Sequence, residues 1–366
     1  MKFQKRFLSI GNLTFLVLVF FSTSNAFAQD SESAAFSYTF KPLVDNTATS
    51  VKNQCRTGTC WSYSMSSFLE SEAARISGHV VDLSEMATVR YTYPLKAQMY
   101  LRMQGKYQFG AGSLSHDVLN AAAGWGLAPQ EAFTGLQDGE TVHNHGDMDA
   151  ALLATVEALV KKPSGNLDPR WNETINGILD TYLGELPTSF EFEGKSYTPA
   201  SFRDYLGIDP EAYINITSFT HHPFGKSFVL EVPDNFSRGE FYNVPIEDLQ
   251  RAVEAAVVAG YTVAWDADVS EKGFSFRNGM ALLLKVKSLI SGKRRLLKLR
   301  SLRSLVRRHL ITKPQPTITS CTLSDWQQTS QERSTSLLRT VGDKGMNMGD
   351  VNIFLWHTSK QKLLPY

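Results

Sequence analysis

Cysteine is scarce in this chain of 366 residues: only Cys55, Cys60 and Cys321 are present. An odd count this small excludes a dense disulfide framework and leaves at least one thiol unpaired. Net charge is nearly absent too, at +1, which excludes a global pull toward nucleic acid or acidic lipid. Beyond the N-terminal segment no apolar run approaches the ~20 residues a membrane-spanning helix requires. There is no internal repeat and no low-complexity tract, which argues against a repeat array. Acidic residues are missing from one long stretch, between Glu271 and Asp325, and ten Lys or Arg fall inside it, from Lys285 to Arg308. The remainder of the chain is therefore net acidic, an asymmetry that calls for an explanation.

What is present is ordinary globular composition, 42% hydrophobic and 20% charged, enough for one large domain or two lobes. The first 28 residues read as a secretory signal. Lys2, Lys5 and Arg6 form a positive front, an apolar core runs from Leu13 to Phe21, and Ala26-Phe27-Ala28 supplies small residues at −3 and −1. Cleavage after Ala28 is expected, giving a soluble protein that is exported, periplasmic or secreted.

Hydrophobic spacing then predicts a helix from Cys60 to Ile76, stopped by Gly78, and a second helix capped by Asp82 or Ser84. A glycine-rich turn precedes a helix over Ser115–Ala123. Residues 148–185 are helical in pattern, interrupted at KKPSGNLDPRW. SFVLEVPDNFS reads as a strand, VPIEDLQRAVEAAVVAG as a helix ending at Gly260, and YTVAWDADV as a strand by its alternation.

The stretch VKNQCRTGTCWSYS, Val51 to Ser64, carries the chemistry. A cysteine attacks as thiolate, and its free pKa of about 8.5 is lowered by the unpaired N–H groups and the dipole at a helix N-terminus. Gly58 permits a tight entry that sets Cys60 at such a position. Gln54 reaches back across the loop, so that its side-chain N–H and the backbone N–H of Cys60 would form an oxyanion hole. Other conspicuous residues point to less. Adjacent His221 and His222 point apart on an extended chain, with no ligand spacing to complete a metal site. His116 opens a helix and reads as structural, Cys321 as a small buried hydrophobe, and Asp266 and Asp268 as polar residues of one strand face.

This segment resembles the active-site segment of papain-like cysteine proteases. The Gln-x5-Cys-Trp spacing is kept, while Cys55 stands where that family usually has glycine. The segments FGAGSLSHDVLNAAAGWGLAPQEAF, SFTHHPFGKSFVLEVPDNFS and GYTVAWDADVSEKGFSFRNGMA extend the resemblance to the bleomycin hydrolase or aminopeptidase C-like branch, in a bacterial exported form, from Phe36 to Ala281. The resemblance implies an α+β, papain-like, two-lobe fold. Residues 29–150 would form the helical lobe with the nucleophile helix, 151–245 an insertion of helices and a strand, and 246–284 the start of a β-rich lobe. It implies peptide-bond hydrolysis by Cys60 with Gln54 in the oxyanion hole, on short peptides or peptide N-termini. It implies no cofactor, no metal, no nucleic acid and no membrane span, with a peptide as substrate and a homo-oligomer left open. In that branch a C-terminal tail helps restrict the cleft.

Such enzymes also need a downstream His as base and an Asn to orient it. Neither is found in its expected setting after Ala281: His309 lies in the basic run, and His357 lies in FLWHTSK. Codon arithmetic offers a reason. With freely chosen synonymous codons, TSCTLSDWQQTSQERSTSLLRTVG read from the third base of each codon gives MHIVGLATDKSGKEYFFVKNSWG, which holds a His and then Lys-Asn-Ser-Trp-Gly at the family's spacing. The frame is expected to slip shortly after Ala281, return briefly near Gly342 and slip again, which also accounts for the basic run. The β-rich lobe is then incomplete as written, residues 285–366 are an out-of-frame, poorly packed tail, and the catalytic His and Asn are absent in frame. The competing readings are an exported, non-catalytic, protease-like binding protein, and an amphipathic basic helix lying on an anionic membrane.

Overall fold

The computed structural model describes residues 44–162 and 166–266, together with the backbone of two short strands at 274–275 and 280–281. The signal segment, the tail, Asp268, Cys321, His309 and His357 lie outside the described residues.

Helix α1 (Cys60–Ser77) begins at the cysteine and ends at Gly78, whose φ of +77° makes the left-handed turn that a side chain resists. Helix α2 (Glu85–Arg102) is capped by Ser84, whose hydroxyl accepts from the Ala87 N–H; of the two expected caps, serine takes the role. Pro94 lies inside α2. Helix α3 (Ser115–Gly124) starts with Asp117 accepting from the Leu114 N–H at 3.3 Å and from the Ser113 hydroxyl at 2.5 Å. The helical pattern of 148–185 resolves into α4 (Gly146–Val160) and α5 (Trp171–Leu183). These five helices share one core, in which Met65, Leu69, Tyr93, Leu152 and Ile175 are buried. Helix α2 packs against α1, α3, α4 and α5, so it is the central post of this part.

A hairpin of β1 (Phe190–Phe192) and β2 (Lys195–Tyr197) leads into the short helix α6 (Pro199–Tyr205), with Thr198 at its cap. A three-stranded sheet follows, ordered β3 (Ile216–Thr217), β5 (Glu240–Asn243), β4 (Lys226–Val229), with β3 parallel and β4 antiparallel to β5. Phe219, Leu230 and Phe241 fill its own small cluster with Leu114. Helix α7 (Ile246–Val258) follows and buries Leu249, Val253 and Val257, one face at helical spacing. Backbone pairing between β6 (Phe274–Ser275) and β7 (Met280–Ala281) is antiparallel.

The strand expected in SFVLEVPDNFS forms as β4, the Leu230 N–H still donating to the Gly239 carbonyl at 3.3 Å before the chain turns at Pro233 and Asp234. The strand expected over YTVAWDADV is described only to Asp266, where Trp265 makes a β-bridge and the residues before it are irregular. The architecture is thus mixed helix and sheet, α+β in class, with small sheets. Among the described residues no helix is long and apolar enough to cross a membrane.

Candidate active site

The loop before α1 is built as a unit. The Cys55 N–H donates to Asn53 Oδ1 at 2.8 Å, an Asx turn that sets Cys55 at a φ of +57°. Gln54 is 2% exposed, and its Nε2 donates to the Thr57 carbonyl at 2.9 Å while the Thr57 hydroxyl donates to the Gln54 carbonyl at 2.9 Å. One of the two N–H groups of that amide thus goes to Thr57, which fixes how the amide lies. The loop is strapped from outside, where the Arg56 N–H donates to the His143 carbonyl and the His145 N–H to the Arg56 carbonyl.

Gly58 explains its own identity. A Cβ there would stand 2.6 Å from the Cβ of Ala111, so only glycine lets the 110–112 turn press this close. Ala111 returns the contact by accepting from Trp61 Nε1 at 3.0 Å. Cys60, the first residue of α1, is free of disulfide bonding and buried. No acidic residue stands in the first turn of α1, and Thr59 makes no side-chain cap. The positive end of the helix dipole thus lies at Cys60, with no carboxylate from the helix's own first turn. Gln54 and Cys60 are buried at the two ends of this loop, whose Asn53 and Arg56 are exposed, and the Gln54 amide is turned to the Thr57 carbonyl.

A buried cation holds the neighbouring turn. Lys96, on α2, donates to the carbonyls of Gly110 and Gly112, and its amine lies near the ring faces of Tyr93 and Phe236. Burial pushes its pKa down to about 8, against the opposing pull of Asp234, Asp117 and Asp149. On the other side of α1, Lys52 bridges Glu70 at 2.8 Å, Asp82, and Glu85 at 3.3 Å. Glu70 also accepts from the Leu83 N–H at 2.8 Å. Glu85 is 2% exposed, and burial, opposed mainly by Lys52, lifts its carboxyl to about 7.

One histidine group went unread in the sequence, and a second was misread. His143 and His145 are both buried, with ring centroids 5.9 Å apart. Burial, then the neighbouring His143, holds His145 down at about 4. The H-x-H spacing in TVHNHGD is the signal that could have found them. The second group is a correction: His221 and His222 do not point apart. They sit in a turn rather than on an extended chain, and each places its Nε2 beside Glu231 Oε2, at 3.2 and 3.3 Å. His116 is buried against Phe241 with its Nε2 at 2.8 Å from the Ser237 hydroxyl. Asp266 is described at the end of the irregular 261–266 stretch. A cavity of about 200 Å³ lies between α2, α3 and Phe236–Ser237, lined by neither Cys60 nor Gln54.

No protein-family model matches the chain, and no curated protein matches it in sequence. Among solved structures it is similar to PepW from Lactobacillus rhamnosis HN001, with a TM-score of 0.51 and 17% identity. The match covers 66% of this chain and 63% of PepW, so the chain spans under two thirds of that protein's length. At this identity the likeness is one of fold.

Proposed function

We propose that this chain is a cysteine-type peptidase of the papain-like class, in the bleomycin hydrolase or aminopeptidase C-like branch, exported behind a cleaved signal peptide. Cys60 is its nucleophile and Gln54 its oxyanion donor. The observation that carries the reading is the N-terminus of α1: a buried cysteine as first helical residue, no carboxylate in the first turn, and a buried glutamine at the far end of the same loop. The fold likeness to PepW and the motifs of the sequence support it.

In the mechanism this implies, the Cys60 thiolate adds to the scissile carbonyl of a short peptide. The oxyanion so formed takes hydrogen bonds from the Gln54 amide and the Cys60 backbone N–H, the acyl group stays on sulfur as the amine leaves, and water releases it. No cofactor enters these steps. Aminopeptidase action on short peptides rests on the resemblance. Proton transfer needs the His and Asn that the written frame omits, so the chain as written is inactive and the intact reading frame encodes the enzyme. That omission also favours a second reading, an exported protease-like shell that binds without hydrolysing.

The test is thiol reactivity. Brief iodoacetamide labelling near neutral pH, read by peptide mass spectrometry, should modify Cys60 ahead of Cys55 and Cys321. Preferential labelling of either of the others removes Cys60 as nucleophile.

A further inference from the structure

The turn that joins β3 to β4 crosses the end of β5, and one buried residue holds it there. Asn243 donates from Nδ2 to the carbonyls of Phe219, His222 and Pro223, and its Oδ1 accepts from the Phe219 N–H at 2.8 Å. The imidazoles in the turn are held as well. His222 stacks on Phe228 at 3.8 Å between centroids and 17° between planes, and His221 sits edge-on to Phe219 at 5.3 Å. Both rings thereby turn Nε2 toward the same oxygen of Glu231, just past the end of β4.

A tetrahedral zinc ion with bonds of ~2.0–2.1 Å sets neighbouring donor atoms about 3.3 Å apart. The two nitrogen–oxygen separations here are 3.2 and 3.3 Å, and all three donor atoms lie within 4.8 Å of one another. A surface ion pair needs one imidazole per carboxylate; here two converge on a single oxygen. From this geometry we propose that His221, His222 and Glu231 form a zinc-binding site on the three-stranded sheet, outside the cysteine site. Two imidazoles and one carboxylate suit zinc and its neighbours in the first transition row rather than calcium or magnesium, which take oxygen ligands. The side chains of His221 and Glu231 are 47% and 66% exposed, so an ion enters from solvent and its fourth position takes water.

The experiment uses the full chain without an affinity tag, its cysteines alkylated so that thiols cannot compete. Zinc is titrated in competition with a chromogenic chelator, and cobalt(II) is substituted to read coordination from its visible spectrum. The expected result is one equivalent bound, with a four- or five-coordinate nitrogen–oxygen cobalt spectrum. Removal of an outer-sphere partner already weakens metal sites by about 10–100-fold. His221→Ala, His222→Gln and Glu231→Gln should each therefore weaken binding by at least about tenfold. Glu231→Gln keeps the side chain's shape, and circular dichroism of every variant separates loss of a ligand from loss of the fold. Absence of zinc binding in the parent chain overturns the proposal, and so does binding that all three folded variants retain.

Discussion

Cys55 holds its backbone at a φ of +57°, a region that costs an L-residue with a Cβ roughly 1–2 kcal/mol. The papain-like proteases that this segment resembles usually carry glycine there, and the geometry says why: the Asx turn at Asn53 demands a left-handed residue before the chain re-enters at Arg56. Cys55→Gly should therefore raise stability by about 0.5–1 kcal/mol, the strain relieved less the extra chain entropy of glycine. A shift of the urea midpoint to higher concentration at unchanged slope checks this; a lower midpoint would mean the Cys55 side chain contributes more than its backbone costs. Gly58, Gly78 and Ser84 were legible because each does local chemistry within a few residues. Lys96 was not: nothing in YPLKAQMY says that its amine ends on two carbonyls of a distant turn.

At the scale of elements, α1 and α2 are joined at their starts by charge as well as by packing. The Ser62 hydroxyl donates to the Glu85 carbonyl at 2.8 Å, and Lys52 gathers Glu70, Asp82 and Glu85 around the same junction. Glu85 titrates at about 7 in the folded chain and near its ordinary 4.5 when unfolded. The folded state thus holds this proton more tightly, so the contribution is fully present below about pH 4.5 and is lost as pH rises through 7. Glu85→Gln removes that dependence, and the variant should gain on its parent by up to about 3 kcal/mol between pH 4.5 and 8. His145, held near 4, acts in the opposite sense, losing stability as pH falls from about 6.5 to 4. It does so in parent and variant alike, so it cancels from the difference. Chemical unfolding of both proteins across that range is the measurement, and a difference that does not vary with pH would place the Glu85 carboxyl at its ordinary value. The longer helices were legible, since their periodicity and caps are local, while the seven-residue α6 was not read. The sheet was not, because the parallel pairing of β3 with β5 joins Ile216 to Tyr242 across an intervening strand. The same crossing turns His221 and His222 toward Glu231, where reading the histidines as extended chain sent them apart.

At the scale of the whole molecule, the proposed function has its nucleophile and loop in the written sequence but lacks its base there. Two explanations make different demands on the gene. A binding shell that has lost hydrolysis needs only a substituted His, with the surrounding strand residues intact. A slipped frame alters every residue across a stretch, and it accounts together for the ten cations from Lys285 to Arg308, the missing acids before Asp325, and the Lys-Asn-Ser-Trp-Gly recovered from the shifted codons. The nucleotide sequence from codon 275 onward, read in its three forward frames, should carry the continuous His and Asn context in an alternative frame. Triad members act as a unit, and loss of one costs on the order of 10⁴–10⁶ in turnover. The chain as written should show no hydrolysis of aminoacyl or dipeptidyl fluorogenic substrates beyond that of Cys60→Ala. The chain rebuilt in the alternative frame should show hydrolysis that Cys60→Ala abolishes. Robust Cys60-dependent turnover by the chain as written would refute the slipped frame and move the search for the base to the written histidines. No turnover by the rebuilt chain, with Cys60 still the most reactive thiol, would instead favour the shell that binds without cutting.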